Sequence, residues 1–397
     1  MLIKNGTESF DKEKTMEYIY PDYYKKFQCI AGECENTCCA GWGIVIDDKS
    51  LEKYKKYPGS FGSRLHNSID WKEQSFEQTE KRCAFLNEDN LCDIYSEAGK
   101  DMLCKTCKRY PRHLEEFENL REVSLSLSCP EVARMILGRK EKVTFVSSRR
   151  ETKEEEYEEF DFFLFTKLQE IRDFLLEIVQ KESLSLEYRL SFLLAASHDI
   201  QGRIRKNKLF EIDNLLARYE KEGFKKKAEK KFEEYQGCPA ESYETKKKIF
   251  TNLYELEVLD ENWTKRLKEY EKLLYTQGEE VYHKNRQEFR SYYKNQEYQY
   301  TQIMVYFLFG YFSGAVYDEN AYDKVRFAVV NTLLIQELDL ALWIKEGKKL
   351  DLCGQVDLVH RFAREMEHSD PNLQEMEVMI GYQEEYSLEN LLYCVWN

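Results

Sequence analysis

Nine of the 12 cysteines in this 397-residue chain fall within its first 129 residues. They are clustered: Cys29, Cys34, Cys38 and Cys39; then Cys83 and Cys92; then Cys104 and Cys107; then Cys129. Thiols gathered at short, uneven spacings imply either a metal centre or a disulfide framework, and the two lead to different folds. Composition and the N-terminus weigh against bridges. Hydrophobic residues make up 42% of the chain and aromatic residues 14%, enough for a buried core that needs no covalent staples. The stretch Met1 to Tyr20 carries Lys4, Asp11, Lys12, Glu13 and Lys14 and has no apolar leader run, so the expected localisation is cytoplasmic. Thiols there are held reduced, and clustered reduced thiols serve metal binding or redox chemistry.

Soft thiolates select zinc, copper(I) or iron–sulfur clusters. The region's two histidines, His66 and His113, stand at no ligand spacing from a cysteine pair. An all-sulfur site follows: an iron–sulfur cluster, or zinc held by four thiolates. Four cysteines suffice for one [4Fe–4S] cluster, and nine leave room for a second four-thiolate centre with one thiol over. Adjacent cysteines usually point different ways, so Cys38 and Cys39 are not expected both to ligate one ion. Asn87 to Asn90, between Cys83-Ala84-Phe85-Leu86 and Leu91-Cys92, is a turn signal that brings Cys83 and Cys92 together. Cys104-x-x-Cys107 lacks the βαβ context of a redox dithiol and reads better as a ligand pair. The cations that follow it include Arg109 and Arg112, candidates to hold an anionic cofactor group or to offset thiolate charge. Cys129 precedes Pro130, a helix start, where the dipole and free N–H groups stabilise a thiolate. Cys238, Cys353 and Cys394 have no cysteine neighbours and read as ordinary residues. Spacing leaves open whether the metal does chemistry or is structural.

The fold class expected is mainly α: a small cysteine-rich, metal-binding N-terminal region with short strands (1–145), followed by a larger all-α helical domain (146–397) that binds substrate or partner. Apolar residues at steps of three and four predict helices over 163–178, 187–196, 209–219, 243–259, 262–276, 279–294, 300–315, 321–345 and 354–368. The uncharged run Thr301 to Tyr317 is shorter than the roughly 20 residues of a spanning helix and is read as a core helix, without membrane insertion. The net charge of −14 disfavours nucleic acid and suits a basic or lysine-bearing partner, or simply solubility. No Gly-x-Gly-x-x-Gly after a strand and no P-loop are present.

Several segments together resemble the flagellin lysine-N-methylase family, within a wider group of bacterial cysteine-cluster proteins. They are Cys29-x4-Cys34-x3-Cys38-Cys39 with Gly41-Trp42, Cys83-x-Phe85-Leu86 with Leu91-Cys92-x-Ile94, Cys104-x-x-Cys107-x-x-Tyr110-Pro111-Arg112, and Leu125-Ser126-Leu127-Ser128-Cys129-Pro130-Glu131. Arg361 to Ser369, Asn372-Leu373 and the aromatic run Tyr306 to Phe309 are similar to further parts of the same family. The resemblance implies methyl transfer from S-adenosylmethionine to lysine ε-amines of flagellin, with a [4Fe–4S] cluster; zinc is the alternative metal. Such transfer needs a neutral amine, whose ordinary pKa is about 10.4, so the enzyme must desolvate it or supply a base. The candidate catalytic face carries His360, Arg364 and Glu367 at i, i+4, i+7, with His368 beside it; the alternative is a solvated face. The usual Rossmann signature for the donor is not evident. The radical motif Cys-x3-Cys-x2-Cys is missing too, with only Cys34-x3-Cys38 present. The competing reading is a non-catalytic zinc- or iron-binding protein whose helical domain binds a protein partner.

Overall fold

A computed structural model describes residues 14–34, 36–152 and 160–397; most of the N-terminal stretch read for a leader, residues 1–13, lies outside them. The architecture is mainly helical, and among the described residues the strands lie between Lys14 and Thr152. Four strands make one mixed sheet in the order Arg112–Phe117, Leu120–Leu125, Lys14–Pro21, Phe145–Thr152. Lys14–Pro21 runs parallel to Leu120–Leu125, with Glu17 opposite Leu120, and antiparallel to Phe145–Thr152, with Tyr18 opposite Ser148. Leu120–Leu125 is buried along its whole length, as a strand covered on both faces must be. Its Glu122 is neutralised in that setting by Arg172, whose Nη1 donates to it at 2.5 Å.

Most buried hydrophobic residues fall into two clusters. The small one draws only on residues 44–104, among them Ile44, Ile46, Tyr54, Phe76, Phe85 and Ile94. Regular structure there is short: two pairs of two-residue strands, and the helices Asp48–Lys56, Gly59–Asn67, Asp93–Ala98 and Lys105–Arg109. The predicted turn is present. Leu86 bridges Cys92, and the Asn87 side chain accepts from the backbone N–H of Asp89 and Leu91 at 3.0 and 2.9 Å.

The large cluster runs from Tyr23 through Leu127 and Cys129 into nearly every helix beyond residue 160. Its axis is Ala321–Lys345, buried almost all round, against which Tyr298–Tyr311 packs. Among the described residues Ala321–Lys345 alone has the length and apolarity to cross a membrane, and 83% of its apolar window is buried inside the protein. Most predicted helices recur within a few residues of their expected ends, but the one expected over 187–196 runs from Leu186 to Ile204, and another ends early. The run 243–259 ends as a helix at Thr251, followed by a 3-10 turn over Asn252–Tyr254. The next N–H groups are taken by side chains instead: Glu257 N–H donates to Asn372 at 2.6 Å, and those of Leu259 and Asp260 to Glu365 at 2.9 Å each. Helices Asp370–Tyr382 and Leu388–Trp396 complete the body.

The helix Leu352–Glu367 positions the site. Asp351 caps it, accepting from Gly354 N–H at 2.8 Å. Val356, Val359, Phe362, Ala363 and Met366 bury one stripe, and the helix packs against Pro130–Leu137, for which Cys129 is the N-cap. What lies off that stripe at the C-terminal end meets the cysteine-rich region.

Candidate functional site at the junction of the two cores

Arg364 ties the loop that carries the first cysteines to the segment that carries Cys129. Its Nη2 donates to the carbonyls of Asn36 and Thr37 at 2.6 and 3.3 Å, and its Nε to that of Ser128 at 3.1 Å. Arg361 adds a bond from Nη2 to Asn36 Oδ1 at 3.0 Å. Gly41, at φ +87°, turns the chain beneath Arg364; a Cβ there would stand 3.9 Å from its Nη1. Trp42 then donates from Nε1 to the Cys38 carbonyl at 2.9 Å, and its ring lies 4.6 Å from that of His368 and 5.8 Å from that of Tyr110. His368 and Tyr110 both reach the Ser128 hydroxyl, at 2.8 and 3.1 Å. Burial first, and the Arg364 charge second, push the His368 imidazole down to about 4, so it is neutral at physiological pH.

One turn away, the Glu367 carboxylate is ringed by hydroxyl donors. Tyr306 donates to its two oxygens at 2.7 and 2.9 Å, Ser126 donates at 3.0 Å, and Tyr311 is a further hydrogen-bond partner. Burial raises its proton affinity, and the Tyr306 and Ser126 hydroxyls and the charge of His113 work the other way. Tyr306 also accepts from Leu127 N–H at 3.3 Å, which fixes the phenol against the strand-to-helix segment Ser126-Leu127-Ser128-Cys129. A partly buried carboxylate, two phenols and a neutral imidazole flanked by indole are the group types that receive an amine: acceptors for its N–H groups and aromatic faces for its methylene or methyl groups.

Of the predicted face, Arg364, Glu367 and His368 converge here, and the face is packed rather than solvated. His360 does not join them. It is 0% exposed, with Asp357 at 3.5 Å, and burial lowers its proton affinity. Arg109 is exposed at the end of its helix; Arg112 is exposed on a strand, its guanidinium 5.5 Å from the Phe27 ring centroid. Ser126, Ser128, Tyr306, Trp42 and Tyr110 complete the site. All five lie inside the quoted motifs, although nothing in spacing marked them as contacts; Tyr311 carried no such signal.

All nine N-terminal cysteines are free thiols, as are the other three. Cys29, Cys34, Cys38 and Cys129 belong to the segments gathered at the Arg364 junction, and the adjacent Cys38 and Cys39 thiols hydrogen-bond to each other rather than diverging as expected. The donor set fits a thiolate-held metal or cluster, although among the described residues no three Cys, His, Asp or Glu side chains converge on a single-ion position. A cavity of about 310 Å³ opens beside the junction, lined by Gly41, Lys81, Trp263, Arg266, Arg361 and Arg364 among others. Against the effect of burial, His360, Arg361 and Arg266, at 3.5, 2.8 and 3.1 Å from Asp357, hold its carboxyl well below the usual range.

Residues 172–394 match the family model of the FliB lysine N-methylase C-terminal domain, a span of more than half the chain. The chain belongs to this family. The FliB match takes in the helical body with Arg364, Glu367 and His368, and begins beyond the cysteine-rich region. Over 134 residues the chain is 30% identical to the flagellar biosynthetic protein FliU of Salmonella muenchen, covering 32% of this chain and 79% of that protein. It is 30% identical, over 134 residues as well, to the lysine-N-methylase of Salmonella typhimurium, where the match spans only 33% of the relative's length. No solved structure matches.

Proposed function

We propose that the chain is a cytoplasmic protein-lysine N-methylase that moves methyl groups from S-adenosylmethionine to lysine ε-amines of flagellin. The observation that carries this reading is the Glu367 carboxylate, held by Tyr306, Tyr311 and Ser126, one helical turn from the Arg364–Cys129 junction. The names of the FliB family and of its Salmonella relatives support the lysine and the flagellar context.

The incoming ammonium is first stripped of water between Trp42, Tyr110 and His368. Glu367, whose proton affinity burial has raised, takes the ammonium proton. The phenols of Tyr306 and Tyr311 then hold the remaining N–H groups, leaving the nitrogen lone pair directed outward. The nitrogen forms its bond to the methyl carbon as the carbon–sulfur bond breaks, and the sulfonium keeps that electron pair. Neutral His368 adds no positive charge to repel a second cationic group nearby. Cys29, Cys34, Cys38 and Cys129 would hold a [4Fe–4S] cluster, which supplies a redox-active, Lewis-acidic iron centre when bound. Arg364 fixes the two chain segments that carry those thiols.

The test is intact mass of flagellin after incubation with donor and metal-replete protein. Increments of one methyl unit are expected with the unaltered chain and are lost with Glu367→Gln. No increment from the unaltered, reconstituted protein refutes the proposal.

A further inference from the structure

The cavity of about 310 Å³ beside the junction is lined from both parts of the chain. The N-terminal part contributes the tip of the short hairpin Gln78–Thr79 and Arg82–Cys83. The turn residues of that hairpin, Glu80 and Lys81, both stand at positive φ, +51° and +61°. Such backbone is strained for residues that carry a Cβ, and it persists where the surroundings hold it. Here Gly41 N–H donates to the Lys81 carbonyl at 2.9 Å, and Lys81 Nζ donates to the Leu259 carbonyl at 2.5 Å. The helical body contributes Asn262, Trp263 and Arg266 from the helix Glu261–Tyr275, and Arg361 and Arg364 from Leu352–Glu367. Several donors in this lining are left over among the described residues. Trp263 is only 7% exposed, yet its indole N–H meets no acceptor. Arg266 spends Nη1 on Asp357 at 3.1 Å, and its Nε and Nη2 have no partner. Arg364 spends Nε and Nη2 on backbone carbonyls and keeps Nη1 over. The lining also carries acids. Glu365 is taken up by the N–H groups of Leu259 and Asp260, whereas Glu80 is in no ion pair among the described residues.

We propose that this cavity takes the methyl donor, with the amino-acid carboxylate of S-adenosylmethionine on Arg266 and its adenine against Trp263. The inference rests on the methylase reading and adds to it the place where the donor binds. The chain shows no Rossmann signature, and a cavity between packed units is where small ligands bind in other folds. The lining matches a ligand that carries both charges and a flat ring. Nε and Nη2 of a guanidinium present two parallel N–H donors, the geometry that a carboxylate accepts. An indole beside them offers a face to a heterocycle and an N–H to a ring nitrogen or ribose oxygen. Glu80 supplies the opposite charge for the donor's α-ammonium. A purely anionic ligand would be repelled by Glu80, Asp260 and Glu365, which share the lining with the cations. The position also suits the reaction. Gly41 lines the cavity while the next residue, Trp42, flanks His368, so one peptide unit links the donor's space to the amine site. Arg364 likewise lines the cavity while it holds the Ser128 carbonyl.

The test is equilibrium dialysis of the full, reconstituted chain against two probes. S-adenosylhomocysteine keeps the amino-acid end and has no methyl group to transfer; methylthioadenosine lacks that end. The unaltered chain should bind the first about 10- to 100-fold more tightly, the worth of a charge-assisted pair. Arg266→Gln should bind both probes alike, at the affinity that the unaltered chain has for methylthioadenosine. Asn262 is an exposed residue of the lining whose side chain makes no hydrogen bond among the described residues. Asn262→Trp should therefore fill the cavity and lose both probes, which keeps the test open should Arg266→Gln, by releasing Asp357, disturb the fold. Glu367→Gln, outside the cavity, should bind both probes as the unaltered chain does. An undiminished preference for S-adenosylhomocysteine in Arg266→Gln, or undiminished binding in Asn262→Trp, overturns the inference. If the unaltered chain still methylates flagellin in that event, the methylase reading stands without it. An unaltered chain that neither binds S-adenosylhomocysteine nor methylates flagellin overturns both.

Discussion

The large and small cores solve the same problem by different means. The large core stacks whole helices around Ala321–Lys345, so each added turn buries more apolar surface, and it has room to spare for polar exceptions such as Asp339 and the Arg172–Glu122 pair. The small core has no element that long. Its interior rings, Tyr54, Phe61, Phe76 and Phe85, are linked edge to face or tilted, and thiols fill positions that side-chain carbon fills elsewhere. The contrast teaches that chain length devoted to a core, more than its hydrophobicity, decides whether burial alone can hold it.

The sharpest way to break this comparison is to remove one large side chain from each core. Phe85→Ala is expected to cost about 3–5 kcal/mol, felt as protease sensitivity of residues 40–107 with the main helical unfolding transition in place. Leu338→Ala, at a fully buried position of the central helix, should instead lower that main transition by about 2–5 kcal/mol in urea. A single transition shifted equally by both substitutions would show one cooperative unit.

A second prediction concerns the large core's tolerance of charge. Burial pushes the Asp339 carboxyl up to about 7, with Tyr300 and Gln355 donating to it at 3.0 and 2.9 Å. A folded-state pKa raised above the unfolded value means stability that is complete below about pH 4 and is lost as pH rises through 7. Asp339→Asn removes that dependence. The gap between variant and unaltered chain should therefore move in the variant's favour by up to about 4 kcal/mol between pH 4 and pH 8, read from urea midpoints. A gap that does not change with pH refutes it.

At the junction, Glu367→Gln should lower methyl transfer by about 10²-fold with little change in thermal midpoint, and Tyr306→Phe by about 10-fold. If both variants turn over normally, the acceptor amine is held elsewhere. The smallest effect expected is at the cap of the helix that carries the site. Asp351→Ala should cost about 1 kcal/mol of stability, read from the urea midpoint.

Much of the helical body was legible because amphipathic period and caps are local properties, as Phe162–Val179 and Leu352–Glu367 illustrate. The convergence of Arg364, Glu367 and His368 was partly legible for the same reason, since four-residue spacing defines a face. What the face meets was not. The contacts of Arg364 with Asn36 and of Glu367 with Ser126 and Tyr306 join segments far apart in the chain, and no period encodes them. His360 shares the predicted face but sits further along the helix, where packing closes over it. The strand Lys14–Pro21 escaped notice because its partners are remote and its composition mixed, and 243–259 looked helical throughout because propensity cannot register that Glu365 and Asn372 capture the backbone after residue 254.

The parallel pairing of Lys14–Pro21 with Leu120–Leu125, closed on its other side by Phe145–Thr152, sets an order of assembly on a chain made from its N-terminus. The first strand leaves the ribosome early yet has no edge to join until some hundred further residues have followed. Everything the small core needs, from Cys39 to Cys107, is synthesised in that interval, whereas Cys129 arrives after it. The small core can thus close while the junction is still open, so that the nascent chain completes one hydrophobic cluster before the sheet has its inner edge.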